Sequence, residues 1–217
     1  MKEIKIILLD FDGTLGDTAS VIINTMQATI RELGLAARTD KQCAEMIGLR
    51  LVEIPSELYP GLEIDPEVFA STYRRLFNIY NTEGAVKLYP GVYETLRSLK
   101  QQGLTLTIAS SRSHASLDQY VTELGLSSII SYVLGADDVQ EGKPQPEAVF
   151  KTLEKFGFNA DQALMVGDSI FDIQMGINAG TRTCGVSYGN GTRESLASAD
   201  WIIDDFREIL KLIDFCN

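Results

Sequence analysis

The stretch IKIILLDFDGTL, residues 4–15, decides the fold. Residues 4–9 are mostly apolar and β-branched, the composition of a strand buried on both faces of a parallel sheet. The run stops at two carboxylates, Asp10 and Asp12, followed by a glycine turn. Downstream of Pro90-Gly91 the hydrophobic pattern alternates between helix and strand. It predicts helices over 92–101, 116–124, 146–156, 170–179 and 206–213. Strands are predicted over 104–109, 132–134, 163–166, 182–186 and 201–203. Strands alternating with helices give an α/β fold, a Rossmann-like parallel sheet covered on both faces.

Between the first and second strands the chain is too long for an ordinary crossover. A helical pattern over 18–33 places Ile22, Met26, Ile30 and Leu33 at spacings of four, four and three, with Gly34 as its stop. Residues 39–84 read as further helices with Asp40, Ser56 and Asp65 as N-caps. Tyr73, Leu76, Phe77 and Tyr80 share one helix face and read as the packing surface of that region rather than a substrate platform. The expected organisation is a core of residues 1–16 and 85–217, interrupted by an all-helical domain at 17–84.

At 217 residues the chain is long enough to bury a core without disulfides. Its three cysteines, Cys43, Cys184 and Cys216, form no CxxC pair and suit reduced thiols. The apolar run before Asp10 is too short for a secretory segment and no small-residue cleavage site follows, which predicts a cytoplasmic protein. No stretch approaches the length of a membrane span. With 19 Lys+Arg against 30 Asp+Glu the net charge is −11, a field that attracts neither nucleic acid nor anionic lipid. An anionic substrate would then need a local cation.

In open parallel sheets ligands sit beyond the carboxyl ends of the strands. The residues at those ends are Asp10 and Asp12, Ser110-Ser111, Gly142-Lys143-Pro144 and Gly167-Asp168-Ser169, with Asp172 four positions on. Asp10 and Asp12, two apart at a strand end, point the same way and repel, so they call for a cation or a shared proton. Asp168 and Asp172 share a helix face. Oxygen donors without His or Cys indicate a hard cation, and Mg²⁺ fits best. Pro144 and Pro146 stiffen the loop that carries Lys143. Each feature also has an ordinary reading, as a turn, a helix cap or a solvated lysine. Their convergence on one sheet edge favours a site.

Asp-Phe-Asp-Gly-Thr-Leu at 10–15, Ser110 after a strand, Lys143 before Pro144, and Gly-Asp-Ser-Ile-Phe-Asp at 167–172 resemble, in order and place, the four motifs of the haloacid dehalogenase superfamily. Within it the chain is most similar to the phosphoglycolate phosphatase group, and the helical insert is similar to that family's cap domain. The resemblance implies phosphatase chemistry on a small phosphorylated metabolite. Asp10 would be the nucleophile and Asp12 the general acid and then base. Asp10, the Asp12 carbonyl and Asp168 would hold Mg²⁺, with Asp172 orienting Lys143 or water. Ser110, Ser111 and Lys143 would hold the phosphoryl group. Arg50, in the run Ile47-Gly48-Leu49-Arg50, resembles a substrate-gripping arginine of phosphomutases similar to β-phosphoglucomutase. Those mutases carry a histidine where this chain has Ile22, which favours water as the acceptor. The only histidine, His114, reads as a partly exposed residue near a helix start. Dehalogenation needs neither Asp12 nor Mg²⁺, so the carboxylate set argues against it. Phosphoglycolate, pyrophosphate and a small sugar phosphate remain open as substrates.

Overall fold

The structure is a computed structural model that describes residues 3–216, with side chains to residue 213. Its elements run β1 (Ile6–Leu9), β2 (Gly16–Asp17), α1 (Ala19–Glu32), α2 (Asp40–Ala44), α3 (Ile54–Leu58), α4 (Pro66–Tyr80), β3 (Lys87–Leu88), α5 (Val92–Gln101) and β4 (Thr105–Ala109). They continue with α6 (His114–Glu123), β5 (Tyr132–Leu134), α7 (Glu147–Phe156), β6 (Ala163–Gly167), α8 (Ile170–Ala179), β7 (Arg182–Val186), β8 (Trp201–Ile203) and α9 (Ile209–Cys216). Six strands form one sheet in the order β5-β4-β1-β6-β7-β8, every pair parallel.

Strand β1 is central and fully buried, and its alternating side chains divide between two cores. Ile6 and Leu8 join Val149 and Leu153 of α7 and Met175 of α8. Ile7 and Leu9 join a larger cluster with α5, α6 and α9. That larger cluster runs without a break into Met26 and Ile30 of α1 and Phe69 and Phe77 of α4, so the helical insert packs on the same apolar body as one sheet face.

The insert's entry and exit lie side by side. Strands β2 and β3 form a two-stranded antiparallel ribbon, Gly16 opposite Leu88 and Asp17 opposite Lys87. Sequence patterning misses it because two residues carry no periodicity.

Asp65 caps α4, accepting from the amides of Glu67 and Val68. The other two expected caps are displaced. Thr39, one residue before Asp40, caps α2 in a reciprocal capping box with Gln42. Ser56 lies inside α3, which starts after Glu53 because Pro55 fits a first turn. The last helix begins as a 3-10 turn over Phe206–Glu208. Tyr73, Leu76 and Phe77 are buried, whereas Tyr80 is exposed. Cys43 and Cys184 are buried free thiols; Cys216 lies outside the described side chains. Among the described residues no helix is long and apolar enough to cross a membrane.

Candidate active site

Strand register brings the site together. Leu9 pairs with Ile108 on one side and Val166 on the other, so Asp10, Ser110 and Asp168 emerge from three neighbouring strands at one edge. The chain passes from β5, at one side of β1, back to β6 on the other, and the loop that makes this crossing carries Lys143. The site therefore lies at the sheet's topological switch point, where a crevice must open.

Lys143 is the hub of one half. Its Nζ donates to Asp10 Oδ1 and to Asp172 Oδ1, both at 2.5 Å, and all three side chains are almost fully buried. Burial alone would lower the ammonium's pKa; Asp10 and Asp172 outweigh it and hold it well above the usual lysine range. The stiff loop is tied down by Asn178, whose amide donates to the Pro144 carbonyl at 3.0 Å. Asp172 is held through both oxygens: its Oδ2 accepts from the Ser169 amide at 3.0 Å and the Ser169 hydroxyl at 2.6 Å, closing the capping box of α8. The helix-cap reading and the functional one thus describe the same carboxylate.

Asp168 is the third carboxylate of the group. Its Oδ2 accepts from the Asn190 backbone amide at 2.6 Å and side-chain amide at 3.0 Å. Burial, followed by the charge of Asp172, pushes the Asp168 carboxyl up to about 7. Asp10 is likewise raised, first by burial and then by Asp172, Asp168 and Asp12, against the opposing pull of Lys143. Carboxylate oxygens of Asp10, Asp168 and Asp172 lie within 4.8 Å of one another. So dense a set of buried, oxygen-only donors, with two carboxyls held above their ordinary range, fits a hard divalent cation. Gly13, at φ +84°, turns the chain under this group, and a side chain there would run into Asp168 and Asn190.

Asp12 does not share Lys143. Arg112 holds it in a fork, Nε to Oδ2 at 3.1 Å and Nη2 to Oδ1 at 2.6 Å. A third donor, Nη1, reaches Ser116 Oγ at 3.1 Å. The guanidinium lies 5.0 Å from the Phe77 ring centroid and 5.1 Å from that of Tyr120. The repulsion between the two aspartates is therefore relieved by two separate cations. Arg112 and Asn190 both escape the reading of the sequence. Each has a signal: Arg112 directly follows Ser110-Ser111, and Asn190 lies between two glycines just past β7.

Asp10, Asp12, Ser110, Ser111 and Arg50 line one cavity of about 670 Å³ between the sheet edge and the insert. Ile22, Met26 and Phe77 contribute to its insert side. Lys143, Asp168 and Asp172 are not on its wall. Ser110 is buried, and its Oγ accepts weakly from the Arg112 amide at 3.4 Å. Ser111 donates its hydroxyl to the Gly48 carbonyl of the insert at 2.6 Å. Arg50 reaches across in the opposite sense, donating to the carbonyls of Ala136 at 3.2 Å and Gln140 at 3.0 Å. His114 opens α6, partly exposed, with Nδ1 2.6 Å from Asp138 Oδ2; that hydrogen bond raises its pKa.

The family model described as haloacid dehalogenase-like hydrolase matches residues 7–186. The chain is 32% identical over 222 residues to a phosphoglycolate phosphatase of Vibrio cholerae, covering 98% of both proteins. It is 31% identical over 214 residues to the pyrophosphatase PpaX of Listeria innocua, covering 97% of both. Among solved structures, a predicted phosphoglycolate phosphatase from Haemophilus somnus superposes with a TM-score of 0.85 at 29% identity, over 98% of this chain and 99% of that one. A haloacid dehalogenase-like hydrolase from Bacteroides fragilis gives a TM-score of 0.90 at 26% identity, over 95% and 100%. The match over most of the chain agrees with the strand-end carboxylates, and the chain belongs to the haloacid dehalogenase-like hydrolases.

Proposed function

We propose that this protein is a Mg²⁺-dependent phosphatase that hydrolyses a small phosphorylated metabolite, such as phosphoglycolate, through a phosphorylated Asp10. The observation that carries the reading is the packing of Asp10 against Lys143, Asp172 and Asp168 at the switch point, with Asp12 facing the same cavity. Names of relatives in both the phosphoglycolate phosphatase and pyrophosphatase groups support hydrolysis at phosphorus.

Asp10, Asp168 and the backbone carbonyl of Asp12 would hold the ion, which supplies positive charge to the transferring phosphoryl group. An Asp10 oxygen attacks phosphorus as the bond to the leaving oxygen breaks. That oxygen keeps the electron pair and takes a proton from Asp12. Water then attacks the phosphorus of phospho-Asp10 and gives a proton to Asp12, which releases inorganic phosphate and restores Asp10. Lys143 fixes the orientation of Asp10 and offsets its charge as the anion approaches, while Ser110 and the backbone amides beside Ser111 orient phosphoryl oxygens. Asp172 keeps Lys143 in place. The insert closes the cavity as a cap, and Arg50, which lines that cavity, contacts the part of the substrate beyond the phosphoryl group once it is released from the Ala136 and Gln140 carbonyls. Buried free Cys43 and Cys184 support a reducing, cytoplasmic setting.

The test is hydrolysis of p-nitrophenyl phosphate with Mg²⁺ and with chelator, by the native protein and by Asp10→Asn. Activity should require Mg²⁺ and fall at least about 10³-fold in the variant, because an amide is no nucleophile. Full activity in a folded Asp10→Asn protein would refute the reading. Pyrophosphate is the second candidate, on the strength of the Listeria innocua relative. Rates on pyrophosphate and phosphoglycolate, measured side by side, decide between them.

A further inference from the structure

We infer that Arg112 is a positioning residue for Asp12, and that the insert completes the arrangement through Phe77. The inference rests on the phosphatase reading, in which Asp12 handles the leaving-group proton. Asp12 stands three residues beyond the last paired residue of β1, in an isolated bridge to Gly16 and beside a glycine with positive φ. Nothing in such a backbone fixes the plane of a carboxylate. The Arg112 fork does so, because two near-parallel N–H bonds to two oxygens define the orientation as well as the distance.

The fork itself is held on three sides. Ser116 takes one Nη1 donor, Tyr120 of α6 flanks it, and Phe77 of the insert covers it. Tyr120 is stacked on Phe11, between the two aspartates in sequence, at 5.1 Å, and its hydroxyl donates to Asn81 at the end of α4 at 2.6 Å. Arg112 and Asp12 keep only 9% and 13% of their side-chain surface, so the pair is shielded from water and strongly coupled. A carboxylate offers about four lone-pair positions, and the fork occupies two. The others are left for the leaving oxygen or the incoming water. A lysine at 112 would supply charge without setting the plane.

A purely structural arginine, tying the insert to the sheet, makes different kinetic predictions from a positioning one. The measurement is kcat/KM of the Mg²⁺-loaded protein on p-nitrophenyl phosphate and on phenyl phosphate. The two are of similar shape, and the second has the poorer leaving group and depends more on proton donation. Asp12→Asn sets the reference pattern, a greater loss on phenyl phosphate. Arg112→Gln should copy it, with about 10²-fold lost on phenyl phosphate and only a few-fold on p-nitrophenyl phosphate. Arg112→Lys should fall between wild type and Arg112→Gln. Adding Arg112→Gln to Asp12→Asn should cost no more than about a further factor of two to three, since the arginine acts through the aspartate.

Equal losses on both phosphates, or losses that multiply in the double variant, would overturn the inference while leaving the phosphatase reading intact. An Asp12→Asn protein without the leaving-group pattern would remove the role assigned to Asp12, and the inference with it. No turnover of either ester by the wild type would overturn the phosphatase reading itself. Should Arg112→Gln fail to fold, Arg112→Lys measured on the same two esters decides between the positioning and the structural role.

Discussion

The two aspartates of one tripeptide live in different surroundings, and the contrast teaches how the site is divided. Asp10 is neutralised by a compact ammonium that it shares with Asp172, and every partner belongs to the sheet edge or α8. Asp12 has a planar guanidinium to itself, and that guanidinium leans on an aromatic ring from the insert. The first arrangement is closed within the α/β core. The second is finished only when the insert is in place. Changes in the insert should therefore reach the Asp12 carboxylate and leave Asp10, Asp168 and the Asp12 carbonyl, the proposed holders of the cation, untouched.

The strongest attempt to break this division is Lys143→Met. It leaves two buried carboxylates without their cation, which should cost about 3–5 kcal/mol of stability. Urea unfolding with chelator should show the loss, and Mg²⁺ should recover part of it. An equal loss with and without Mg²⁺ would mean that the ion binds elsewhere.

The second attempt uses pH. A carboxyl raised to about 7 binds protons in the folded state that the unfolded chain has already released above about pH 4. Stability of the metal-free protein should thus fall as pH rises from about 4 through 7. Ionised Asp168 is the better ligand, so the increase in melting temperature produced by Mg²⁺ should be larger at pH 8 than at pH 5.5. A Mg²⁺ effect independent of pH would separate Asp168 from the metal site.

From the insert side, Phe77→Leu removes the ring over Arg112 at a cost of about 1 kcal/mol in that contact. Turnover of phenyl phosphate should drop several-fold with Mg²⁺ affinity unchanged, as calorimetric titration would show. Weakened Mg²⁺ binding would contradict the division. The smallest effect is expected from Asp65→Ala, which removes the cap of α4. It should lower stability by about 1 kcal/mol in thermal unfolding and leave kcat on p-nitrophenyl phosphate within about twofold of wild type.

The same division governs how much can be read from the residues alone. The strand ends are legible because a parallel sheet converts sequence position into place: Asp10, Ser110, Asp168 and the Lys143 loop reach one edge by register. Asp172 is legible from helix spacing, although its double duty as cap and as Lys143 partner depends on where the distant Lys143 loop lands. Arg112 and Asn190 are not, because their roles depend on where long or loop-borne side chains swing rather than on periodicity. Arg50 stands out in its run in the insert, yet its contacts with the Ala136 and Gln140 carbonyls follow from loop geometry that no pattern encodes. Caps at Thr39 rather than Asp40 show the usual one-residue ambiguity where several cap-forming side chains adjoin.

The order in which the sheet is threaded also matters during synthesis. Ile6–Leu9 is made before both of its neighbours, Thr105–Ala109 on one side and Ala163–Gly167 on the other. A growing chain thus carries four consecutive core residues with an unpaired strand edge until Ala163–Gly167 has left the ribosome. Such non-local pairing slows folding and lengthens the interval in which a sticky edge is open to other chains. The strand that carries Asp10 is made before both of its partners and is paired on both sides only once Ala163–Gly167 exists, and truncation before residue 163 should produce aggregates rather than a smaller folded protein.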